Sequence, residues 1–219
     1  YHNCFNYPCP TWGDIAMIQW LIDGAAIMNQ KTLADGAYGP YVRTMNRINM
    51  EEAFHFKSGE DMVLTLMSGT KGQRAMGQDA FDRWWPISLM FFGPADKPNA
   101  EELPPMKWRL KTERNDSLRQ RFVNRFAPAA RAMGLKIHAC EKDTNGLVTS
   151  KKLDEAIVLN ESTGNWSYTE PDWDEFWRVI RGNGPCNTHR IALRRFSYEQ
   201  GAWVRRAIRT GAVATPPAA

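Results

Sequence analysis

Asn46-Arg47-Ile48-Asn49-Met50-Glu51-Glu52-Ala53-Phe54-His55-Phe56-Lys57-Ser58-Gly59 is the stretch on which the reading of this chain turns. On a helix, residues three or four apart share a face, so Glu52 and His55 point the same way, with Glu51 and His55 as a second pairing. A Glu-x-x-His pair offers a carboxylate and an imidazole to one metal ion. Alone, the motif is weak: a solvated Glu beside a partly buried His satisfies it equally well.

Upstream context changes its weight. Ile15-Ala16-Met17-Ile18-Gln19-Trp20-Leu21-Ile22-Asp23-Gly24-Ala25-Ala26-Ile27-Met28 is apolar nearly all round, the mark of a helix buried on most sides. An unpaired carboxylate there is costly, so Asp23 calls for a proton, a cation or a metal ion. A Gly/Pro-rich turn over Gln30 to Pro40, between antiparallel helices, brings Asp23 level with Glu52. Asp23, Glu52 and His55 would then converge from two helices. Helical bundles that bind two irons use a Glu-x-x-His from each of two helices and one acid from each of the other two, so this set makes half of such a site.

Composition sets bounds. The 219 residues suffice for one large domain or a domain with a tail, and nine Trp and ten Met among 43% hydrophobic residues supply a core. A net charge of +4, without blocks of like charge, gives no ground to expect nucleic-acid binding. The basic clusters at Arg190 to Arg195 and Arg205 to Arg209 read as helix faces in water or at a subunit contact, or as a hold for an anionic ligand. Cys4, Cys9, Cys140 and Cys186 are irregularly spaced and suit reduced thiols in a cytoplasmic protein. Cys4, Cys9, Cys186 and His189 do not have the short spacing of zinc knuckles. The longest apolar run is broken by Asp23, so no membrane span is expected. No signal peptide is evident, and the sequence opens on Tyr1 rather than Met, as though a preceding part had been removed or never sequenced.

In order along the chain, Tyr1 to Pro10 reads as an extended lead-in. Thr11-Trp12-Gly13-Asp14 is a shortened capping box, which gives Asp14 a local role as a helix-start residue. The first helix is expected to reach about Asn29. A second runs from Pro40, in a first-turn position, to Met67. A third runs from Lys71 to Phe92, where Pro86 should kink or interrupt it. Gly93 to Pro105 reads as a long loop without periodicity. Asn115-Asp116 is expected to cap a helix from Ser117 to Met133, ended by Gly134. The character shifts at Leu135, so residues 1–134 are read as the helical bundle and 135–219 as a C-terminal extension packed on it. Within the extension, Val158 to Tyr168 reads as a small β-hairpin around a Gly-Asn turn. Asp172 to Trp177 begins a short helix, Asn187 to Arg209 forms the last one, and Gly211 to Ala219 is a small-residue tail expected to be disordered. The fold class is mainly α: a ferritin-like helical bundle, incomplete at its N-terminus, with a small β-hairpin and C-terminal helices.

Several segments resemble the catalytic A subunits of ring-1,2-phenylacetyl-CoA epoxidases. They are Phe5-Asn6-Tyr7-Pro8, Trp20 to Gln30, Tyr38-Gly39-Pro40-Tyr41, Glu51 to His55, Arg83-Trp84-Trp85, Phe92-Gly93-Pro94, Met106-Lys107-Trp108, Leu118 to Phe122, Gly182 to Asn187 and Glu199 to Arg205. The likeness runs nearly end to end, in order, and covers the C-terminal two-thirds of that family. It implies a ferritin-like multicomponent monooxygenase in which O₂, and electrons from a separate NADPH-dependent reductase with flavin and iron-sulfur groups, epoxidise the ring of phenylacetyl-CoA. The implied partners are small accessory subunits together with a homologous structural subunit. By position, Asp23, Glu52 and His55 resemble ligands of half the di-iron centre. Contacts to coenzyme A fall near Met90, Asn99, Lys111 and Asn115, where the Lys111 ammonium suits a phosphate.

The resemblance further implies an upstream Glu and a first Glu-x-x-His, without which this chain alone is expected to be inactive. Trp20, Met28, Phe54 and Met90 are candidates for the wall of a dry pocket, although each also reads as plain core. Departures at Lys31 to Ala37, at Phe56-Lys57-Ser58, around Trp84-Trp85-Pro86 and in a longer Cys140 to Asn160 segment leave a different aryl- or acyl-CoA open. The rival reading is a non-catalytic scaffold protein that keeps the fold without iron.

Overall fold

Residues 2–139 and 152–211 are described in the structure, a computed structural model. Cys140, most of the segment expected to be longer, and the tail beyond Gly211 lie outside the described residues. The described residues form two compact units, one within Cys9–Trp173 and one of residues 2–8 with 174–211. The change of character at Leu135 falls inside the first of these.

The larger unit is built around one helical rod. Thr11 opens it: its hydroxyl accepts the Asp14 N–H at 3.3 Å while Asp14 Oδ2 accepts the Thr11 N–H at 2.9 Å, a reciprocal cap. Helix α1 (Trp12–Met17) passes through a π-helical turn (Ile18–Ile22) into α2 (Asp23–Ala34). Ala16, Met17, Trp20, Leu21, Ile22 and Ala25 are buried along it. The rod outlasts the expected end at Asn29 because Gln30 to Ala34 contain no breaker. Thr32 is buried, its hydroxyl donating to the Asn29 carbonyl and its own carbonyl accepting from Thr112. The turn shrinks to Asp35 to Tyr38.

Helix α3 (Gly39–Ser68) carries Pro40 in its first turn and returns antiparallel to the rod. A Cβ on Gly59 would sit 2.5 Å from the Trp20 backbone nitrogen, so α3 lies directly on the π-helical turn, and elsewhere on the rod Gly24 makes the same close approach to the Phe126 ring. Helix α4 (Lys71–Met90) starts at a second reciprocal cap, Thr70 with Gln73, and is not interrupted at Pro86. Proline inside a helix costs about 3 kcal/mol. Burial of Trp84, Trp85, Ile87, Leu89 and Met90 around it offsets that cost.

The segment expected to be a plain loop contains a 3₁₀ turn (Ala100–Glu102) and a single-turn helix α5 (Pro104–Lys107). Helix α6 spans Asn115–Ala132 and begins earlier than expected: Arg114 holds the cap position, and no side chain caps it. The Asn115 and Asp116 side chains turn instead to residues 94 and 96. Gly134, at φ +82°, ends α6 as expected, with the Gly134 and Leu135 N–H groups closing back on the Arg131 and Ala130 carbonyls. The core is an aromatic stack: Phe122 on Phe126 at 4.4 Å between centroids, Trp20 edge-on to Phe126 at 5.4 Å, and Trp85 against Phe81 and Phe122. The hairpin pairs β1 (Leu159–Asn160) with β2 (Asn165–Trp166) and is held to α6 by Gln120 and Asn124.

In the smaller unit, the Tyr7 hydroxyl donates to Glu175 at 3.0 Å, and the buried Asn187 donates to Asn6. Helix α7 (Trp173–Arg178), which begins at the last residue of the larger unit, continues into a second π-helical turn ending at Asn183. The last helix is two, α8 (Asn187–Gln200) and α9 (Ala202–Thr210), because Gly201 interrupts it. Among the described residues no helix is long and apolar enough to cross a membrane.

Candidate metal centre

Asp23 opens α2 where the π-helical turn ends; Glu52 and His55 lie one turn apart on α3. The tight α3 contact at Gly59 sets the depth at which the two helices meet. One carboxylate oxygen from each acid and one ring nitrogen of His55 all fall within 4.8 Å of one another, and this is the one such group of three or more potential ligands among the described residues. His55 Nδ1 lies 3.8 Å from Glu52 Oε2. Of the two pairings open in the sequence, the structure uses Glu52; Glu51 is exposed.

The side chain of Glu52 is 23% exposed and that of His55 49%, with Asp23 between buried and exposed. Burial, reinforced by the negative charge of Glu52 and partly offset by His55, pushes the Asp23 carboxyl up to about 7. An acid whose ionisation is opposed by burial and by a neighbouring carboxylate, beside an imidazole, belongs to a donor set that a divalent cation relieves. Two hard oxygens and a nitrogen suit iron, manganese or zinc, and three protein donors leave coordination positions open. The residues present therefore fit a metal ion.

Asp14, the other acid on the rod, has no such role. It is fully buried and accepts from Thr11, from Trp84 Nε1 at 2.9 Å and from Arg83 at 2.8 Å. Burial alone would raise its pKa, but these hydrogen bonds outweigh it and hold the carboxyl below its ordinary range.

The four expected coenzyme contacts are placed unevenly. Lys111 and Asn115 are brought together, the ammonium donating to Asn115 Oδ1, and burial draws Lys111 below the usual lysine range. Asn99 is exposed at the head of the 3₁₀ turn, and Met90 is buried in the core. Of the expected pocket wall, Trp20, Met28 and Met90 are buried, whereas Phe54 is 75% exposed and forms part of a separate surface groove with Trp12 and Leu66.

Two features escaped sequence reasoning. The π-helical turn ahead of Asp23 is a local insertion of the kind found at functional sites, and nothing in Ile18 to Ile22 signals it. Asp82 and His138, 2.8 Å apart, share Gln78 in a buried cluster that ties residues 136–138 to α4. Their separation along the chain hides them.

Residues 1–203 match the model of a family described as phenylacetic acid catabolic protein. The chain belongs to that family. A relative in it, the A subunit of 1,2-phenylacetyl-CoA epoxidase from Escherichia coli (strain K12), is 39% identical over 207 residues. The match takes in 94% of this chain but only 62% of the relative, so the chain spans less than two-thirds of that protein's length. In this member of the family, then, the converging acids and histidine sit in a mainly helical fold of the expected class.

Proposed function

We propose that this chain is part of the catalytic subunit of a di-iron monooxygenase that epoxidises the aromatic ring of phenylacetyl-CoA in phenylacetate breakdown. The observation that carries the reading is the meeting of Asp23, Glu52 and His55 at one point, in a chain whose family and relative bear these names. Other groups of the complete enzyme supply the remaining ligands of a two-metal centre. Electrons come from NADPH through a separate reductase, and the working assembly, in the cytoplasm, includes small accessory subunits together with a homologous structural subunit. Iron bound here supplies the activation of O₂ that no amino-acid side chain can perform.

The chain's own residues do the rest. A bound cation would favour the Asp23 carboxylate, whose proton burial and the Glu52 charge otherwise help to retain. His55 supplies a nitrogen donor from the more open side, and buried Trp20 and Met28 keep water from the rod behind Asp23. Lys111 and Asn115, with Met90 and Asn99 on the connected segment, form the proposed coenzyme side of the substrate site. A scaffold protein has no use for three ligating groups at one point, which favours the catalytic reading over it.

The test is metal content. The assembled protein is expected to hold about two irons per catalytic chain, and His55→Ala to lose most of them while its helical circular dichroism stays unchanged. Normal iron in that variant would refute the ligand assignment.

A further inference from the structure

Arg119 is the largest buried charge among the described residues: its side chain is 0% exposed. Its ion-pair partner Asp116 is itself 44% exposed, so that pair alone does not account for burying the guanidinium. What it does have is a set of partners that a lysine cannot match. Nε donates to the Leu89 carbonyl at 3.1 Å, Nη2 to the Gly93 carbonyl, and Nη1 to Asp116 Oδ1 at 2.6 Å, while the plane lies over the Trp173 ring at 4.9 Å. The Leu89 carbonyl belongs to the last turn of α4, where helix carbonyls want an outside donor. The Gly93 carbonyl belongs to the turn that follows, at φ +87°, a conformation that glycine adopts without strain.

The neighbours of Arg119 on α6 hold the same turn. Asp116 Oδ2 accepts the Asp96 N–H at 2.9 Å, and Asp96 Oδ2 accepts the Asp116 N–H at 2.8 Å. Asn115 Nδ2 donates to the Pro94 carbonyl at 3.0 Å, and its oxygen accepts from Lys111. Residues 93–96, the first turn of α6 and the Lys111 ammonium are thus one hydrogen-bonded body, and Arg119 is the member that anchors it to the end of α4.

We propose that Arg119 is a positioning residue that holds residues 93–96, and through Asn115 the Lys111 ammonium, in the conformation that receives the phosphates of an acyl-coenzyme A. The proposal rests on the reading that Lys111 faces the coenzyme. It also changes the part played by Asn115, whose amide is occupied on both sides by protein and serves as a link within the clamp. Pre-organisation of this kind acts on affinity: if the clamp is loosened and only a fraction of molecules holds the receptive conformation, the apparent binding constant weakens by that fraction.

The experiment compares Arg119→Lys, which keeps the charge but loses the fork, with Lys111→Ala, in the complete assembled enzyme. Two substrates are used: phenylacetyl-CoA, and the phenylacetyl thioester of N-acetylcysteamine, which has no nucleotide part. Arg119→Lys is expected to raise KM for phenylacetyl-CoA about tenfold with kcat held within about twofold, and to leave KM for the short thioester unchanged. If Lys111→Ala raises KM for phenylacetyl-CoA and Arg119→Lys does not, the positioning role is overturned and the coenzyme site stands. If neither variant moves it, both are overturned. A fall in kcat with both substrates alike would show a general loss of fold and also overturn the proposal. Should Arg119→Lys not fold, Asp96→Ala removes the side-chain acceptor of the Asp116 N–H, while the Asp96 N–H can still donate to Asp116, and is expected to raise the same KM about threefold, again for the nucleotide-bearing substrate alone; no rise there would count against the clamp.

Discussion

Two aspartates sit on one continuous helical rod, Asp14 near its start and Asp23 past the π-helical turn, and their surroundings are opposite. Asp14 is fully buried, yet hydrogen bonds from Thr11, Trp84 and Arg83 outweigh its burial and hold its carboxyl low. Asp23 is less buried, but burial, reinforced by the charge of Glu52 and only partly offset by a solvent-facing imidazole, raises its carboxyl to about 7. Depth of burial alone therefore does not tell a structural acid from a site acid; whether hydrogen bonds and opposite charge compensate that burial does. One acid is complete within the fold, and the other becomes so when a cation arrives.

The comparison can be broken first at Asp14. Asp14→Ala strands the Trp84 N–H and the buried end of Arg83, and is expected to cost about 3 kcal/mol in urea unfolding while the surviving folded protein keeps its iron. A loss of iron without loss of stability would reverse the roles assigned to the two acids. Asp14 also has a pH signature: the stability it confers is present above its unfolded value near 3.8 and lost as pH falls through its lower folded value. Unfolding midpoints of the wild type and Asp14→Ala are expected to converge in that acid range.

Next in size is Gly59→Ala. Its methyl group would meet the backbone of Gln19 and Trp20, which cannot swing aside as a side chain can. The expected cost is about 2 kcal/mol, with reduced iron uptake as α3 is pushed from the rod. Normal iron content in that variant would mean that helix spacing is not what sets Asp23 against Glu52.

Asp23→Asn sharpens the contrast from the other side. Folded, metal-free protein keeps the Asp23 proton up to about pH 7 and the unfolded chain releases it near 3.8, so the native state binds more protons between those values and loses stability as pH rises through them. At pH 8 the metal-free Asn variant is expected to be more stable than wild type by about 1 kcal/mol after allowance for solvent screening, and to have lost its iron. Equal stability of the two at pH 8 would place Asp23 in contact with a neutralising partner. The smallest effect is reserved for Glu51→Gln, which should leave both iron content and melting temperature within experimental error, since Glu51 is exposed and stands outside the group.

Much of this was legible beforehand for local reasons. A greasy run interrupted by one acid, Pro40 in a first turn, the Thr11 and Asp14 cap and Gly134 at a helix end are encoded within a few residues of where they act, and so were the rod, the α2 to α3 pairing and the meeting of the three side chains. The Asn115-Asp116 pair differs for the same reason: its residues suit a cap locally, but partners at 94 and 96 claim them. Pro86 was misjudged because packing from distant residues offsets a local penalty.

Spacing and residue type were enough to name Asp23, Glu52 and His55 and to call the fold mainly helical, because helix periodicity is a short-range property that can be counted along the chain. No such count reaches the π-helical turn that presents Asp23, the Gly59 contact that sets its distance from α3, the low carboxyl of Asp14 or the anchoring of residues 93–96 by Arg119. Each of these arises where segments far apart in the chain are pressed together. Charge, hydrogen-bond supply and room for a side chain are there decided by neighbours that the local sequence does not contain.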